Sequence, residues 1–186
     1  MTDTKIALFA SGAGSNAKKL IEHFGSTIRV VVCNNPNAGV LNIATQNNIP
    51  VILIEKERFT TTGYINELKD AGVNFIILAG FLWQLPVQLI KEYDNRIINI
   101  HPALLPAYGG KGMYGNKVHN AVLVAGDKKS GITIHLVNED YDRGKLLFQA
   151  TCIINRDDTP ETLAQKVHAL EHRHYPKIAE SVIRSL

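Results

Sequence analysis

Cysteine is scarce in this sequence. The chain of 186 residues contains two cysteines, Cys33 and Cys152, and neither belongs to a C-x-x-C pair. So few cysteines exclude the disulfide framework of a small secreted scaffold. Both lie in apolar runs that are typical of strands, so we expect buried free thiols.

Long apolar runs and a strong excess of one charge are also missing. No apolar run reaches the ~18 residues of a membrane span, and the first residues show no secretion-signal pattern. The formal net charge of +3 is mild, and no dense Lys/Arg run indicates a nucleic-acid partner. We therefore expect a cytoplasmic protein with neither a membrane nor a nucleic-acid partner.

The composition is that of an ordinary globular protein, with 45% hydrophobic and 20% charged residues. No internal repeat, low-complexity tract or linker interrupts the chain. A chain of this length suits one sizeable core, so we predict a single domain over residues 1–186.

Short apolar runs alternate with helical patterns. The predicted strands are 5–10, 29–33, 51–54, 75–79, 97–101, 132–137 and 147–154, and the predicted helices are 17–24, 40–47, 61–71, 87–93, 117–125 and 160–186. This alternation indicates an α/β fold with a parallel sheet, and early strands that are apolar on both faces indicate helices on both sides. After Gly131 a loop alone joins two strand-like runs, which predicts a locally mixed sheet.

The last helical pattern has clear boundary signals. Asp158 or Thr159 is expected at the N-cap, with Pro160 and Glu161 in the first turn. An apolar stripe follows at helical spacing. Pro176 lies inside this pattern and is expected to kink or split the helix, because proline has no N–H to donate.

A glycine-rich loop separates the first predicted strand from a helix. Residues 11–16 (SGAGSN) let the backbone approach a ligand, and the N–H groups of a helix N-terminus favour a phosphate. Gly12, Gly14 and Ala17 also match the dinucleotide spacing G-x-G-x-x-G/A, which requires an acidic residue at the end of the second strand. That strand ends in Cys33 and Asn34 instead. The pattern favours a phosphate monoester over NAD, with an ordinary turn as the structural alternative.

The fifth predicted strand ends in an amide and an imidazole. Asn99 and His101 are two residues apart, so they share a face of the strand, and the sheet edge they reach is that of the glycine loop. A nearby carboxylate such as Asp142 would complete an acyl-transfer site. The glycine-rich stretch 104–115 is expected to be a mobile flap. A core histidine and a turn aspartate are the structural alternatives.

Further histidines need a separate interpretation. His168, His172 and His174 lie on the last predicted helix, but the His168/His172 pair has no matched third ligand and the H-E-x-x-H order is absent. We therefore predict no metal site. His135 alternates with apolar residues on a strand, and the sequence leaves open whether it faces the site.

Together these motifs resemble the phosphoribosylglycinamide formyltransferases, which use 10-formyltetrahydrofolate in purine biosynthesis. The resemblance runs nearly end to end and rests on residues 11–16, 78–81 (LAGF), 99–102 (NIHP), 104–106 (LLP), Asp142 with Gly144, 171–172 (EH) and 175–176 (YP). Methionyl-tRNA formyltransferases share this core but carry a further C-terminal domain. Formyltetrahydrofolate hydrolases carry an N-terminal regulatory domain, and we expect neither addition here.

The resemblance implies a three-layer, Rossmann-like α/β formyltransferase fold. Its seven-stranded sheet would be mostly parallel, with one antiparallel strand near the C-terminus. The implied enzyme is a transferase that moves the formyl group of 10-formyltetrahydrofolate to the glycyl amine of 5'-phosphoribosylglycinamide. Its partners would be these small molecules, with the folate as co-substrate and no metal, and the chain would be a monomer or a homodimer.

The resemblance also implies roles for individual residues. Asn99 and His101 would stabilise the oxyanion of a tetrahedral intermediate, and Asp142 would assist proton transfer. The substrate-binding residues would be Gly12, Gly14, Ser15, Asn16, His168 and Glu171, with Glu171 at the ribose hydroxyls. The folate would contact Leu82, Trp83, Gln84, Leu85, Asn99, Val137 and Asp140. Leu82-Trp83 departs from a Met-Arg that is common in the family, and His168 departs from a common Lys or Gln.

Other functions stay open at this point. A formyltransferase acting on a different amine, such as an amino sugar nucleotide, would need the same chemistry and a different acceptor pocket. A non-catalytic nucleotide- or folate-binding protein would have no use for the full set of Asn99, His101 and Asp142. An NAD-dependent oxidoreductase is disfavoured by the end of the second strand.

Overall fold

The computed structural model describes residues 4–186 and contains a seven-stranded sheet in the order β3-β2-β1-β4-β5-β6-β7. The strands are β1 (Ile6–Ala10), β2 (Ile28–Cys33), β3 (Val51–Leu53), β4 (Phe75–Leu78), β5 (Ile97–His101), β6 (Lys129–Leu136) and β7 (Leu146–Ile153). The prediction that no secretion signal is present concerns the first residues of the chain. Of these, residues 1–3 lie outside the described residues.

Helices cover both faces of the sheet. They are α1 (Ser15–Phe24), α2 (Gly39–Gln46), α3 (Lys56–Phe59), α4 (Gly63–Asp70), α5 (Val87–Glu92), α6 (Asn116–Val124) and α7 (Pro160–Arg184). Successive side chains of a strand point to opposite faces. In β1, Leu8 therefore packs in the core with α1, α2, α6 and α7, whereas Phe9 packs in the core with α3, α4 and α5. The predicted three layers are confirmed, and the short helix α3 is an element that the sequence pattern did not predict.

One strand runs against the others. β1 to β5 pair in parallel, and β6 is antiparallel to both of its neighbours, β5 and β7. The predicted mostly parallel sheet with one antiparallel strand near the C-terminus is therefore confirmed. β7 runs parallel to β1–β5 at the edge of the sheet.

The strand order reverses between β1 and β4, which leaves a crevice at the carboxyl ends of these strands. Two hydrogen bonds hold the loops that follow them. The N–H of Ser11 donates to the carbonyl of Gly80 at 3.1 Å, and the N–H of Leu82 donates to Oγ of Ser11 at 3.0 Å. β5, which carries Asn99 and His101, lies next to β4 in the sheet. The loops that follow β1, β4 and β5 are therefore neighbours at the carboxyl edge of the sheet.

Helix α7 begins and continues for identifiable reasons. Thr159 is the N-cap, and its hydroxyl accepts from the N–H of Thr162 while the hydroxyl of Thr162 accepts from the N–H of Thr159. The helix is not split at Pro176, so that alternative is wrong. Tyr175 and Ala179, on either side of the proline turn, are fully buried, and this packing outweighs one missing backbone hydrogen bond.

Tyr175 provides a stability test for this packing. Its hydroxyl donates to the carbonyl of Leu78 at 2.8 Å and lies 3.3 Å from the carbonyl of Ile98. We expect Tyr175→Phe to lower the free energy of unfolding by about 1–3 kcal/mol, because it leaves buried acceptors without this donor. Denaturant unfolding measures the loss, with the half-exposed Tyr114→Phe as the control. Equal effects of the two substitutions would contradict the assignment.

Two expectations from composition have different outcomes. Cys33 is a buried free thiol as predicted, whereas Cys152 is a free thiol that is only partly buried. The prediction is wrong for Cys152 because β7 is an edge strand whose residues alternate between partial burial and exposure.

Separately, no helix within residues 4–186 is long and apolar enough to cross a membrane.

Candidate active site

A cavity of about 690 Å³ opens where the loops after β1 and β4 meet the end of β5. Its other walls come from residues 110–115, from the loop between β6 and β7, and from side chains of α6 and α7. The glycine loop and the pair Asn99/His101 therefore open onto one pocket, as their positions at the sheet edge predict.

The glycine loop has one strained position and one open position. Gly14 has a φ of +84°, and a Cβ there would lie 2.9 Å from the Cα of Val40 on α2. By contrast, nothing lies within 4 Å of the position that a Cβ of Gly12 would take. Helix α1 begins at Ser15 without a side-chain cap, so the N–H groups of its first turn suit an anion.

Asn16 orients a buried carboxyl group at this end of the cavity. Its Nδ2 donates to Oε2 of Glu171 at 2.8 Å, and its Oδ1 is buried without a hydrogen-bond partner among residues 4–186. Burial raises the pKa of Glu171, while the Asn16 hydrogen bond and the charge of His168 act in the opposite direction. A phosphate here would meet the backbone N–H groups of the first turn of α1 and the Ser15 hydroxyl, and the bond to Glu171 leaves the second N–H of the Asn16 amide unused.

His135 orients the amide of Asn99 across the β5–β6 pair. Nδ1 of His135 is 2.8 Å from the carbonyl oxygen of Leu136, so we place the imidazole proton on Nδ1. Nε2 then accepts a hydrogen bond from Nδ2 of Asn99 at 3.2 Å. This arrangement leaves the second N–H of the Asn99 amide for a group in the cavity.

Each ring nitrogen of His101 lies close to an oxygen atom of another residue. Its Nε2 donates to the carbonyl of Tyr108 at 2.8 Å, and its Nδ1 is 3.5 Å from Oδ2 of Asp142. Burial lowers the pKa of His101, although the charge of Asp142 and the Tyr108 carbonyl oppose that shift. Asp142 therefore favours the protonated ring, as expected from the sequence, but burial outweighs it and the ring is neutral at pH 7.

Asp142 joins the glycine-rich stretch to the site. Its Oδ2 accepts from the N–H of Gly110 at 2.9 Å, and its Oδ1 is 3.6 Å from Nε2 of His135. Burial acts to raise the pKa of Asp142, but His135, His101 and the Gly110 N–H outweigh burial and hold it below its usual value. The site therefore contains an ionised carboxylate beside two imidazoles.

The other end of the cavity is more apolar. The Trp83 ring lies 5.4 Å from that of Phe59 and 6.3 Å from that of Phe81, measured between centroids. Nε2 of Gln84 donates to the carbonyl of Glu139 at 2.9 Å, which ties this wall to the loop between β6 and β7. Phe59 lies on α3, the short helix that the sequence pattern did not predict. Helix α3 therefore packs against Trp83, where this sequence departs from the Met-Arg that is common in the family it resembles.

Comparisons with known proteins agree with this geometry. Residues 4–179 match the family described as formyl transferase. The chain is 41% identical to the chloroplastic phosphoribosylglycinamide formyltransferase of Arabidopsis thaliana over 96% of its own length, and it spans 65% of that relative. It is 34% identical to the Bacillus subtilis (strain 168) phosphoribosylglycinamide formyltransferase, with 96% and 94% of the two chains covered.

The chain belongs to the formyl transferase family. A crystal structure of phosphoribosylglycinamide formyltransferase from Bacillus halodurans superposes with a TM-score of 0.88 at 30% identity, covering 97% of this chain and 95% of that one. The Rossmann-like formyltransferase fold expected from the sequence is therefore confirmed.

All site residues predicted from the formyl transferase resemblance line the one cavity. They are Gly12, Gly14, Ser15, Asn16, Leu82, Trp83, Gln84, Leu85, Asn99, His101, Val137, Asp140, Asp142, His168 and Glu171. Their convergence is a finding of the structure, whereas their individual roles stay predictions. Among residues 4–186, no group of three or more His, Cys, Asp or Glu side chains is placed to hold a metal ion.

Sequence reasoning missed two histidines of the formyl transferase pocket. The sequence does not decide whether His135 faces the site, and the structure places it against Asn99 and Asp142. His119 on α6 is not among the predicted site residues, although it lines the cavity and is 1% exposed. The available signal was its position beside Val118 and Val122, which form the buried stripe of α6.

Proposed function

We propose that this chain transfers the formyl group of 10-formyltetrahydrofolate to the glycyl amine of 5'-phosphoribosylglycinamide in purine biosynthesis. The observation that carries the proposal is that Asn99, His101 and Asp142 line the same cavity as the glycine loop and as the apolar residues of 82–85. The names of the relatives support the same substrates. The cytoplasmic setting and the monomeric or homodimeric state stay predictions.

The acceptor ribonucleotide would occupy the end of the cavity at the glycine loop. Its phosphate would meet the first turn of α1, where Gly14 lets the backbone turn and Ser15 adds a hydroxyl. Glu171, held by Asn16, is placed to accept hydrogen bonds from ribose hydroxyls. His168 lines the same end.

The folate would occupy the apolar end. Residues 82–85 and Val137 with Asp140 line this slot, and Leu85 is buried within it. The flat faces of a pterin suit the apolar side chains of Leu82, Leu85 and Val137 that line this slot. Trp83 would form part of the wall beside the pterin.

The chemistry follows from the three polar side chains. The neutral glycyl amine attacks the formyl carbon, a C–N bond forms, and the formyl oxygen becomes an oxyanion. The free N–H of the Asn99 amide donates to that oxyanion. Losing one such donor typically costs about 3–4 kcal/mol of barrier.

His101 would act in two protonation states. Neutral, its Nδ1 can take the proton that the attacking amine releases, and the nearby Asp142 carboxylate stabilises the resulting imidazolium. The protonated Nδ1 can then donate to the oxyanion or pass its proton to the folate nitrogen as the old C–N bond breaks. Residues 110–115 cover this region and would exclude water that could hydrolyse the donor.

The test is formyl transfer from 10-formyltetrahydrofolate to 5'-phosphoribosylglycinamide, followed by absorbance of the folate product. Turnover with this acceptor supports the proposal. A well-folded protein that formylates only another amine, such as an amino sugar nucleotide, would assign a different acceptor. A protein that binds either substrate without turnover would be a binding protein.

Gly12 offers a clean test of the phosphate assignment. We expect Gly12→Val to raise the KM for the ribonucleotide about tenfold or more with little change in Tm, because its side chain would project into open space at the loop. Gly14→Val is the contrasting variant, and we expect it to lower Tm as well, because Val40 blocks its Cβ. An unchanged ribonucleotide KM in Gly12→Val would refute the assignment.

A further inference from the structure

A segment of three residues, 108–110, bridges the two members of the His101–Asp142 pair. At one end, the carbonyl of Tyr108 accepts from Nε2 of His101 at 2.8 Å. At the other end, the N–H of Gly110 donates to Oδ2 of Asp142 at 2.9 Å. The same Oδ2 is 3.5 Å from Nδ1 of His101, so these contacts form a closed ring. A displacement of the segment therefore moves the partners of the imidazole and of the carboxylate together.

The conformation of Tyr108 needs contacts that hold it. Its φ is +57°, in the left-handed region that a bulky residue rarely adopts and that persists only where the surroundings fix it. The ring packs partly against the core. The hydroxyl donates to Oδ2 of Asp127 at 2.7 Å, and a hydroxyl bonded to a carboxylate belongs to the stronger class of hydrogen bonds. This bond is the polar contact of the Tyr108 side chain.

Asp127 fixes the segment to the sheet from outside the cavity. It is exposed and lies in the connection between α6 and β6, two residues before β6 begins at Lys129. β6 pairs with β5, the strand that carries His101. Neither Tyr108 nor Asp127 lines the cavity, so both can act on the reaction only through the groups that they hold in place.

We propose that the hydrogen bond between Tyr108 and Asp127 positions the His101–Asp142 pair for proton transfer. Tyr108 and Asp127 are then positioning residues for the reaction. The inference rests on the proposed function, since it takes this pair as the group that exchanges protons. Its effect is on kcat, because small displacements of reacting groups slow a reaction without weakening the binding of its substrates.

Substitutions at both ends of the hydrogen bond test the proposal in the kinetics. Tyr108→Phe keeps the ring and removes the hydroxyl, and we expect it to lower kcat by about threefold or more with both KM values within about twofold of wild type. Asp127→Ala should have the same effect. The double variant should be no slower than either single variant, since each removes the same bond. Asp127→Asn keeps an acceptor oxygen and should recover most of the rate.

Amide hydrogen exchange provides a measurement that needs no substrate. The N–H of Gly110 is held by Asp142 in the ring of contacts. We expect Tyr108→Phe to speed the exchange of this N–H by about threefold or more and to leave the N–H groups of β1 unchanged. A change confined to Gly110 would show a local displacement of the segment, whereas a loss of global stability would also affect the sheet.

Tyr93→Phe is the matched control. The Tyr93 hydroxyl donates to the carbonyl of Val73 at 3.3 Å, in the core and away from the cavity. Its removal should lower Tm and leave kcat unchanged, which separates positioning from general stability.

Three results would overturn the inference and leave the proposed function standing. They are a loss of kcat below about threefold in a folded Tyr108→Phe, single effects that multiply in the double variant, and unchanged exchange of the Gly110 N–H. A wild type that does not formylate the ribonucleotide would refute the proposed function instead. The exchange of Gly110 then decides the inference, since faster exchange in Tyr108→Phe supports the positioning of the pair and unchanged exchange overturns it.

Discussion

Asp142→Asn should reduce the rate of formyl transfer by a factor of about 10²–10⁴, the usual contribution of a positioned acid–base group. The asparagine keeps an oxygen that can accept from the N–H of Gly110, so the loop contact survives. What is lost is the negative charge 3.5 Å from Nδ1 of His101. Without it, only the Tyr108 carbonyl opposes the effect of burial on that ring, and the imidazolium formed during transfer loses its negatively charged partner.

Steady-state kinetics with both substrates saturating measures the effect, and thermal unfolding verifies the fold. The exposed Asp157→Asn makes the same change of charge away from the cavity and should leave kcat unchanged. Near-normal turnover in Asp142→Asn would reject the role of this carboxylate in proton transfer.

His101→Ala should reduce transfer by a factor of about 10²–10³, because it removes one donor to the oxyanion. The same substitution leaves the carbonyl of Tyr108 without the Nε2 donor, so some loss of stability accompanies it. His101→Gln separates the two effects. Its amide can donate to the Tyr108 carbonyl but cannot take up a proton, so we expect a Tm close to wild type and a rate as low as that of the alanine variant.

A control for the histidine substitutions is His23→Ala, since His23 lies at the end of α1 and pairs with Glu180 outside the cavity. It should leave transfer unchanged. If His101→Gln transfers formyl groups at nearly the wild-type rate, His101 holds the loop and takes no proton, and the mechanism must be rewritten around Asn99 and Asp142.

The order of strands and helices could be predicted because hydrophobic periodicity is a local property. β1, β2 and β5 are apolar runs that the sheet buries on both faces, and their positions agree with the sequence within a residue or two. Helix α3 escaped prediction because its four residues, with Phe59 as their one buried side chain, are too few to show a period. The continuity of α7 through Pro176 also escaped, since it depends on what Tyr175 contacts in the sheet.

Some features of the candidate site could likewise be predicted from the sequence, whereas others depend on the tertiary structure. The sequence by itself determined the glycine loop, the shared face of Asn99 and His101, and the family resemblance that assembled the remaining residues. Only the tertiary structure decided that His135 orients Asn99, that Asn16 turns its donor toward Glu171, that burial keeps His101 neutral, and that His119 reaches the cavity. These contacts join residues far apart in the chain, and hydrogen-bond partners, tautomers and pKa shifts depend on distances and burial that no local pattern contains.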